Sequence, residues 1–169
     1  MKYGIYYAYW EKEWNGDYKY YIDKISKLGF DILEISCGAF SDYYTKDQEL
    51  IDIGKYAKEK GVTLTAGYGP HFNESLSSSE PNTQKQAISF WKETLRKLKL
   101  MDIHIVGGAL YGYWPVDYSK PFDKKRDLEN SIKNMKIISQ YAEEYDIMMG
   151  MEVLNRFEGY MLNTCDEAL

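Results

Sequence analysis

The chain has 169 residues, 44% hydrophobic and 28% charged, with 13 Gly and 4 Pro, a length and balance that fit one globular domain and exclude collagenous, coiled-coil and disordered classes. A net charge of -5, from 21 Lys plus Arg against 26 Asp plus Glu, leaves no basic field to hold a phosphate backbone, so nucleic acid is not an expected partner. Two isolated cysteines, Cys37 and Cys165, and the lack of a signal-peptide h-region or a long apolar run, predict free thiols, a cytoplasmic setting and no membrane span.

An opening strand is expected over Tyr3 to Tyr9. A helix follows from Tyr18 to Leu28, with Tyr21, Ile22, Ile25 and Leu28 at helical spacing; Gly29 closes it and Phe30 to Ile35 read as a strand. The same pattern recurs from about Asp47 to Lys60, with Leu50, Ile51, Ile53, Gly54 and Ala57 inward, then Gly61 and the apolar run Val62 to Ala66. A third helix starts after Pro81 and Asn82, carries Ala87, Ile88, Trp91, Leu95 and Leu98, and leads into Ile103 to Val106 and the pair Gly107 and Gly108. A fourth runs from Lys124 to Tyr145, with Leu128, Ile132, Met135, Ile138 and Ala142 on one face, and delivers Ile147 to Val153. Asn163 and Thr164 read as the cap of one more helix.

Strands alternating with helices predict parallel βα units, because parallel neighbours need a crossover. A doubly wound sheet would place a glycine fingerprint after its first strand, where Tyr9, Trp10, Glu11 and Lys12 stand instead. A (β/α)8 TIM barrel, with polar and aromatic residues at the C-terminal ends of its strands, fits better. The expectation is therefore an α/β chain holding the first five strands and four helices of such a barrel. On that count, residues 1–169 are the N-terminal portion of a single domain that stops before strand six.

The strand ends collect Tyr6, Tyr7, Tyr9, Trp10 and Trp14; Ser36, Cys37 and Gly38; Gly67 to His71; Gly107, Gly108, Leu110, Tyr111 and Trp114; and Glu152, Asn155, Arg156 and Glu158. With 17 Tyr, 6 Phe and 4 Trp, these rings are either a wall for a polar ligand such as a sugar or simple capping of the barrel. Glu152 lies in an apolar run, where a carboxylate is costly unless a metal or a donor compensates it. It reads either as a ligand to a divalent ion or as a structural acid paired with Arg156 or facing solvent. Glu158 is either an orienting group for sugar hydroxyls or a solvated loop acid. His104, between Ile103 and Ile105, reads as a satisfied barrel or interface residue, and His71 as a loop residue. No HExxH or other self-sufficient metal cluster is present. The glycine pairs read as places where a ligand approaches the backbone.

GIYYAYWEKEW at 4–14, LTAGYGP at 64–70, GGALYGYWPVD at 107–117 and GMEVLNRFEGYMLNT at 150–164 resemble the D-tagatose 3-epimerase family. Within it, they are most like the D-psicose (D-allulose) 3-epimerases of the xylose-isomerase-like TIM barrels. The resemblance implies metal-dependent epimerisation at C3 of a free ketose (D-psicose/D-fructose, D-tagatose/D-sorbose) by deprotonation and reprotonation through a cis-enediolate. It implies manganese or cobalt, with magnesium a further option, and a homo-oligomer, dimer or tetramer. Glu152 resembles the family's first glutamate, both metal ligand and catalytic acid/base. Glu158 resembles its substrate-contacting carboxylate. Tyr6, Gly67, Leu110 and Trp114 resemble its pocket residues, and Trp14 a lid contact. The resemblance places the other metal ligands, an Asp, a His and the second catalytic Glu, beyond Leu169, so the fragment alone is expected to be inactive. Rival readings are a ketose-aldose isomerase of the same superfamily and a non-catalytic half-barrel sugar-binding module. A phosphodiesterase acting on damaged DNA is opposed by the charge.

Overall fold

The computed structural model describes residues 1–14 and 16–169, with Asp42 described by its backbone alone. In chain order the elements are β1 (Gly4–Tyr6), α1 (Tyr18–Leu28), β2 (Ile32–Ser36), α2 (Ala39–Asp42), α3 (Asp47–Glu59), β3 (Thr63–Gly67), α4 (Pro81–Leu100), β4 (Ile105–Gly108), α5 (Lys124–Glu144), β5 (Met148–Met151) and α6 (Cys165–Ala168). The strands follow one another in the sheet as β1-β2-β3-β4-β5. Parallel registers align Tyr6 with Glu34, Glu34 with Thr65, and Ser36 with Gly67.

One device starts every strand after the first. The α1 helix ends at Gly29, whose φ of 81° is left-handed; its N–H reaches Ser26 O at 3.3 Å while the Phe30 N–H reaches Ile25 O at 3.0 Å. These two bonds satisfy carbonyls that a helix end otherwise strands. The same pair of bonds closes α3 at Gly61 (φ 70°), α4 at Asp102 (φ 60°) and α5 at Asp146 (φ 57°). This explains why β4 and β5 begin later than the apolar runs imply. Ile103 and Ile147 spend their N–H groups on Leu98 O and Ala142 O, at 3.0 and 2.8 Å, before either chain can join a sheet. β1 is also shorter than expected, because Tyr7–Tyr9 wind into a 3₁₀ turn that carries the Tyr7 ring into the core.

The chain divides into two compact units, Met1–Gly67 with Thr94–Val106, and Tyr68–Glu93 with Gly107–Leu169. In the first, Leu33 and Ile35 of β2 are buried with Ile22 and Ile25 of α1, Leu50 and Ile53 of α3, and Leu95 and Leu98 of α4. The α3 helix comes so close to the end of α4 that a Cβ on Gly54 would lie 2.6 Å from Met101 O. Leu28, expected inward, is 58% exposed at the end of α1, whose buried residues are Tyr18, Tyr21, Ile22 and Ile25.

The buried face of α5, in the second unit, differs from the one its apolar spacing predicts. Ile132 is exposed, while Asp127, Ser131 and Asn134 are buried beside Ile138 and Ala142. Buried polar groups persist where they are hydrogen-bonded. Tyr160 Oη donates to Asp127 at 2.8 Å, Ser131 Oγ to Tyr111 O at 2.7 Å, and Asn134 Nδ2 to Leu76 O at 2.7 Å. The short α6 begins at Thr164, whose hydroxyl and Glu167 form a reciprocal capping box. Among the described residues no helix is long and apolar enough to cross a membrane.

The left-handed closures are testable in the full-length protein. Gly61 has open space around its missing Cβ, so Gly61→Ala reads backbone strain alone and should cost about 1 kcal/mol. Asp102→Gly should leave the denaturation midpoint unchanged or raise it; a loss at Asp102 equal to that at Gly61 would show that the side chain, not the conformation, matters there.

Candidate active site

In the first unit, the alternation of β2 turns Leu33 and Ile35 toward the helices and leaves Glu34 and Ser36 on the opposite face. The parallel registers add Tyr6 from β1, and Thr65 and Gly67 from β3, to that face. Tyr6, Glu34 and Thr65 are partly buried, and Ser36 and Gly67 are buried. Burial, opposed by a side-chain hydrogen bond with Ser36 and reinforced by the Glu34 charge, pushes the Tyr6 hydroxyl up to about 12. A Cβ on Gly67 would lie 2.9 Å from Glu34 Oε1. Gly67 is not among the positive-φ glycines, and the contact is with the far end of the flexible Glu34 side chain.

The loop after β1 is tied down by tyrosine hydroxyls. Tyr7 Oη donates to Trp14 O at 2.7 Å and Tyr44 Oη to Gly16 O at 2.8 Å. Tyr18 Oη donates to Ser36 O at 3.0 Å and accepts from Ser36 N at 3.3 Å. The Trp14 ring is 54% exposed and lies 6.2 Å from that of Tyr6. Of the strand-end tyrosines grouped as a possible ligand wall, Tyr7 is fully buried and is a packing residue, not a wall. Cys37 is a free, buried cysteine whose thiol burial pushes far up, which makes it inert.

In the second unit, Glu152 stands just past β5. Its N–H donates to Gly108 O at 3.0 Å, and its carbonyl accepts from Tyr111 Oη at 2.9 Å. Both backbone groups are therefore fixed while the side chain is exposed. The Tyr111 hydroxyl is pushed up to about 12, by burial first and then by the Glu152 charge. The Arg156 pairing does not form: among the described residues Glu152 makes no ion pair. Glu158 is also exposed; the Asn155 side-chain amide donates to its carboxylate, and Asn155 Oδ1 accepts from Phe157 N at 2.9 Å.

Trp114 is partly buried and donates its N–H to Pro70 O at 2.8 Å. Leu110 is fully buried, two residues past β4. The glycines here clear room for the chain itself rather than for a ligand. A Cβ on Gly69 would lie 2.9 Å from Trp114 Cβ, and one on Gly108, where φ is 122°, only 2.3 Å from Tyr68 O. His104 is on the surface, 3.2 Å from Asp102, rather than buried like Ile103 beside it. His71 opens a 3₁₀ turn, its N–H bonded to Glu74 at 3.0 Å.

Among the described residues no three His, Cys, Asp or Glu side chains group to hold a metal ion. Glu152 fits as one carboxylate ligand, but these residues do not by themselves make a metal centre. Glu34 escaped the sequence reading. Its signal was a lone acid between two apolar residues of a strand, on the face that helices do not cover.

The sequence profile described as the xylose isomerase-like TIM barrel matches residues 22–169. The chain belongs to that family. The D-psicose 3-epimerase of Enterocloster bolteae is 57% identical over 169 residues, covering all of this chain and 56% of the relative. That of Ruminiclostridium cellulolyticum is 47% identical, covering all of this chain and 57% of the relative. Among solved structures, a D-psicose 3-epimerase with D-tagatose from Clostridium cellulolyticum superposes with a TM-score of 0.95 at 47% identity, covering 99% of this chain and 57% of that one. A D-psicose 3-epimerase in the presence of D-fructose gives 0.94 at 44% identity, with 99% and 57% covered. This xylose isomerase-like chain thus spans a little over half the length of the relatives it matches.

Removing one hydroxyl tests how the Trp14 loop is held. Tyr7→Phe should lower the stability of the full-length protein by about 1 kcal/mol, the worth of one partly buried hydrogen bond. An unchanged urea midpoint would show that the loop does not depend on it.

Proposed function

We propose that this chain is part of a ketose 3-epimerase acting on free ketoses, with D-psicose and D-fructose as the first pair to test. The observation that carries the reading is Glu152: a carboxylate at the C-terminal end of a strand in a TIM-barrel family, its backbone fixed on both sides and its side chain uncommitted. TIM barrels place catalytic groups at such ends. The names of the relatives, identical at 57% and 47%, point to the same chemistry.

On this reading Glu152 takes the proton from C3. The C–H bond pair becomes the C2–C3 double bond, and the carbonyl pair moves onto O2, giving an enediolate. A proton returned to C3 on the opposite face completes the inversion. Glu158, held by Asn155, accepts hydrogen bonds from sugar hydroxyls. A manganese or cobalt ion would stabilise charge on the sugar oxygens when bound; this stretch of sequence would contribute Glu152 to it.

The test is turnover by the full-length protein in deuterated water with manganese. D-psicose should yield D-fructose carrying deuterium at C3, and Glu152→Gln should lower kcat by about 10² to 10⁴ with an unchanged melting temperature. An aldose product would instead establish ketose-aldose isomerisation.

A further inference from the structure

We infer that Tyr111 and Ser131 are positioning residues for Glu152: Ser131 on α5 anchors the main chain of Tyr111, and the Tyr111 hydroxyl holds the Glu152 carbonyl, so that the carboxylate starts from a fixed point. It rests on the reading of Glu152 as the base, and its geometry lies wholly within the second unit.

Three observations carry it. Glu152 is the first residue past β5, and its carbonyl is taken up by the Tyr111 hydroxyl at 2.9 Å. With the 3.0 Å bond from the Glu152 N–H to Gly108 O, the peptide groups on both sides of its Cα are tied down. Next, the phenol is a rigid strut that has no room to swing. Its ring is buried in a cluster with Tyr160, Met161 and Leu162, and Met151, the residue before Glu152, packs against the same cluster. Finally, the other end of Tyr111 is held as well. Ser131, 2% exposed, donates its hydroxyl to Tyr111 O at 2.7 Å from the buried face of α5. A buried hydroxyl is unfavourable there unless its bond is made, and this bond is made to the residue that holds Glu152.

A hydroxyl that only satisfies a carbonyl contributes to stability, whereas one that places a base contributes to the rate, because a small misplacement of a reacting group slows the chemical step. Tyr111→Phe keeps the ring and removes only the bond. In the full-length protein with manganese and D-psicose, well below the melting temperature of the variant, kcat should fall about 10-fold and KM should change by less than about twofold. D-psicose deuterated at C3 should show an isotope effect on kcat at least as large as in the unmodified protein, since proton removal is the step that slows. Ser131→Ala should lower kcat as well, yet add nothing to the loss in Tyr111→Phe, because it acts through that hydroxyl. A lower melting temperature with kcat unchanged would show a purely structural role and overturn the inference. So would a raised KM at unchanged kcat, which puts the hydroxyl on substrate binding, or additive losses of kcat from the two substitutions. Should Tyr111→Phe fail to fold, Ser131→Ala carries the test on the same kcat and isotope readings. Full turnover in Glu152→Gln would sink the reading of Glu152 as the base, and this inference with it. An inactive Glu152→Gln beside a folded Tyr111→Phe of unchanged kcat would sink this inference alone.

Discussion

Every strand from β2 to β5 begins where a helix is stopped by one residue in the left-handed region, and the placement of the site residues depends on those four stops. Because strand side chains alternate with a period of two, starting a strand one residue early or late turns its whole inward set outward. The Gly29 closure spends the Phe30 N–H on the helix, so β2 begins at Ile32 with Glu34 and Ser36 on the face shared with Tyr6. The Asp146 closure does the same for β5 and leaves Glu152 as the first residue past it. A backbone conformation worth about 1 kcal/mol at each position thus decides which side chains share a face.

The preference for tyrosine over phenylalanine, 17 against 6, follows from what the hydroxyls do. Loops at strand ends carry backbone carbonyls that no ladder satisfies, and burying them unpaired is costly. Tyr7, Tyr18, Tyr44 and Tyr111 each fill space with a ring and place a hydroxyl on such a carbonyl. Tyr6 stands apart, since it faces the polar side of the sheet. The aromatic excess therefore divides into rings that build the loops and others, Trp14 among them, that stay exposed.

Much of this was legible in the sequence, and the parts that were not share a cause. The helices α1, α3, α4 and α5 were visible in their apolar spacing, and the closures at Gly29 and Gly61 in the residue that tolerates left-handed backbone best. Asp102 and Asp146 adopt the same conformation with no such signal. The buried face of α5 was misread because Asp127, Ser131 and Asn134 are made acceptable by partners far along the chain, Tyr160, Tyr111 and Leu76. Glu152 stood out as an acid in an apolar run. Glu34 did not, because alternation alone does not say which face of a strand the helices will cover.

The acids of this chain also differ in whether their carboxylates remain available. Asp127 is held by Tyr160, Glu74 by Tyr68 and the His71 N–H, and Glu167 by Lys124. Glu167 shows the consequence: the Lys124 ammonium, with backbone donors at Asn163 and Thr164, draws its carboxyl down to about 2. A group so stabilised as an anion takes up a proton poorly and cannot cycle as a base. At Glu152 the positioning is done by the main chain, through Gly108 and Tyr111. The side chain is then fixed in origin but not consumed by its own support. The proposed role of Glu152 as a base calls for that separation of roles.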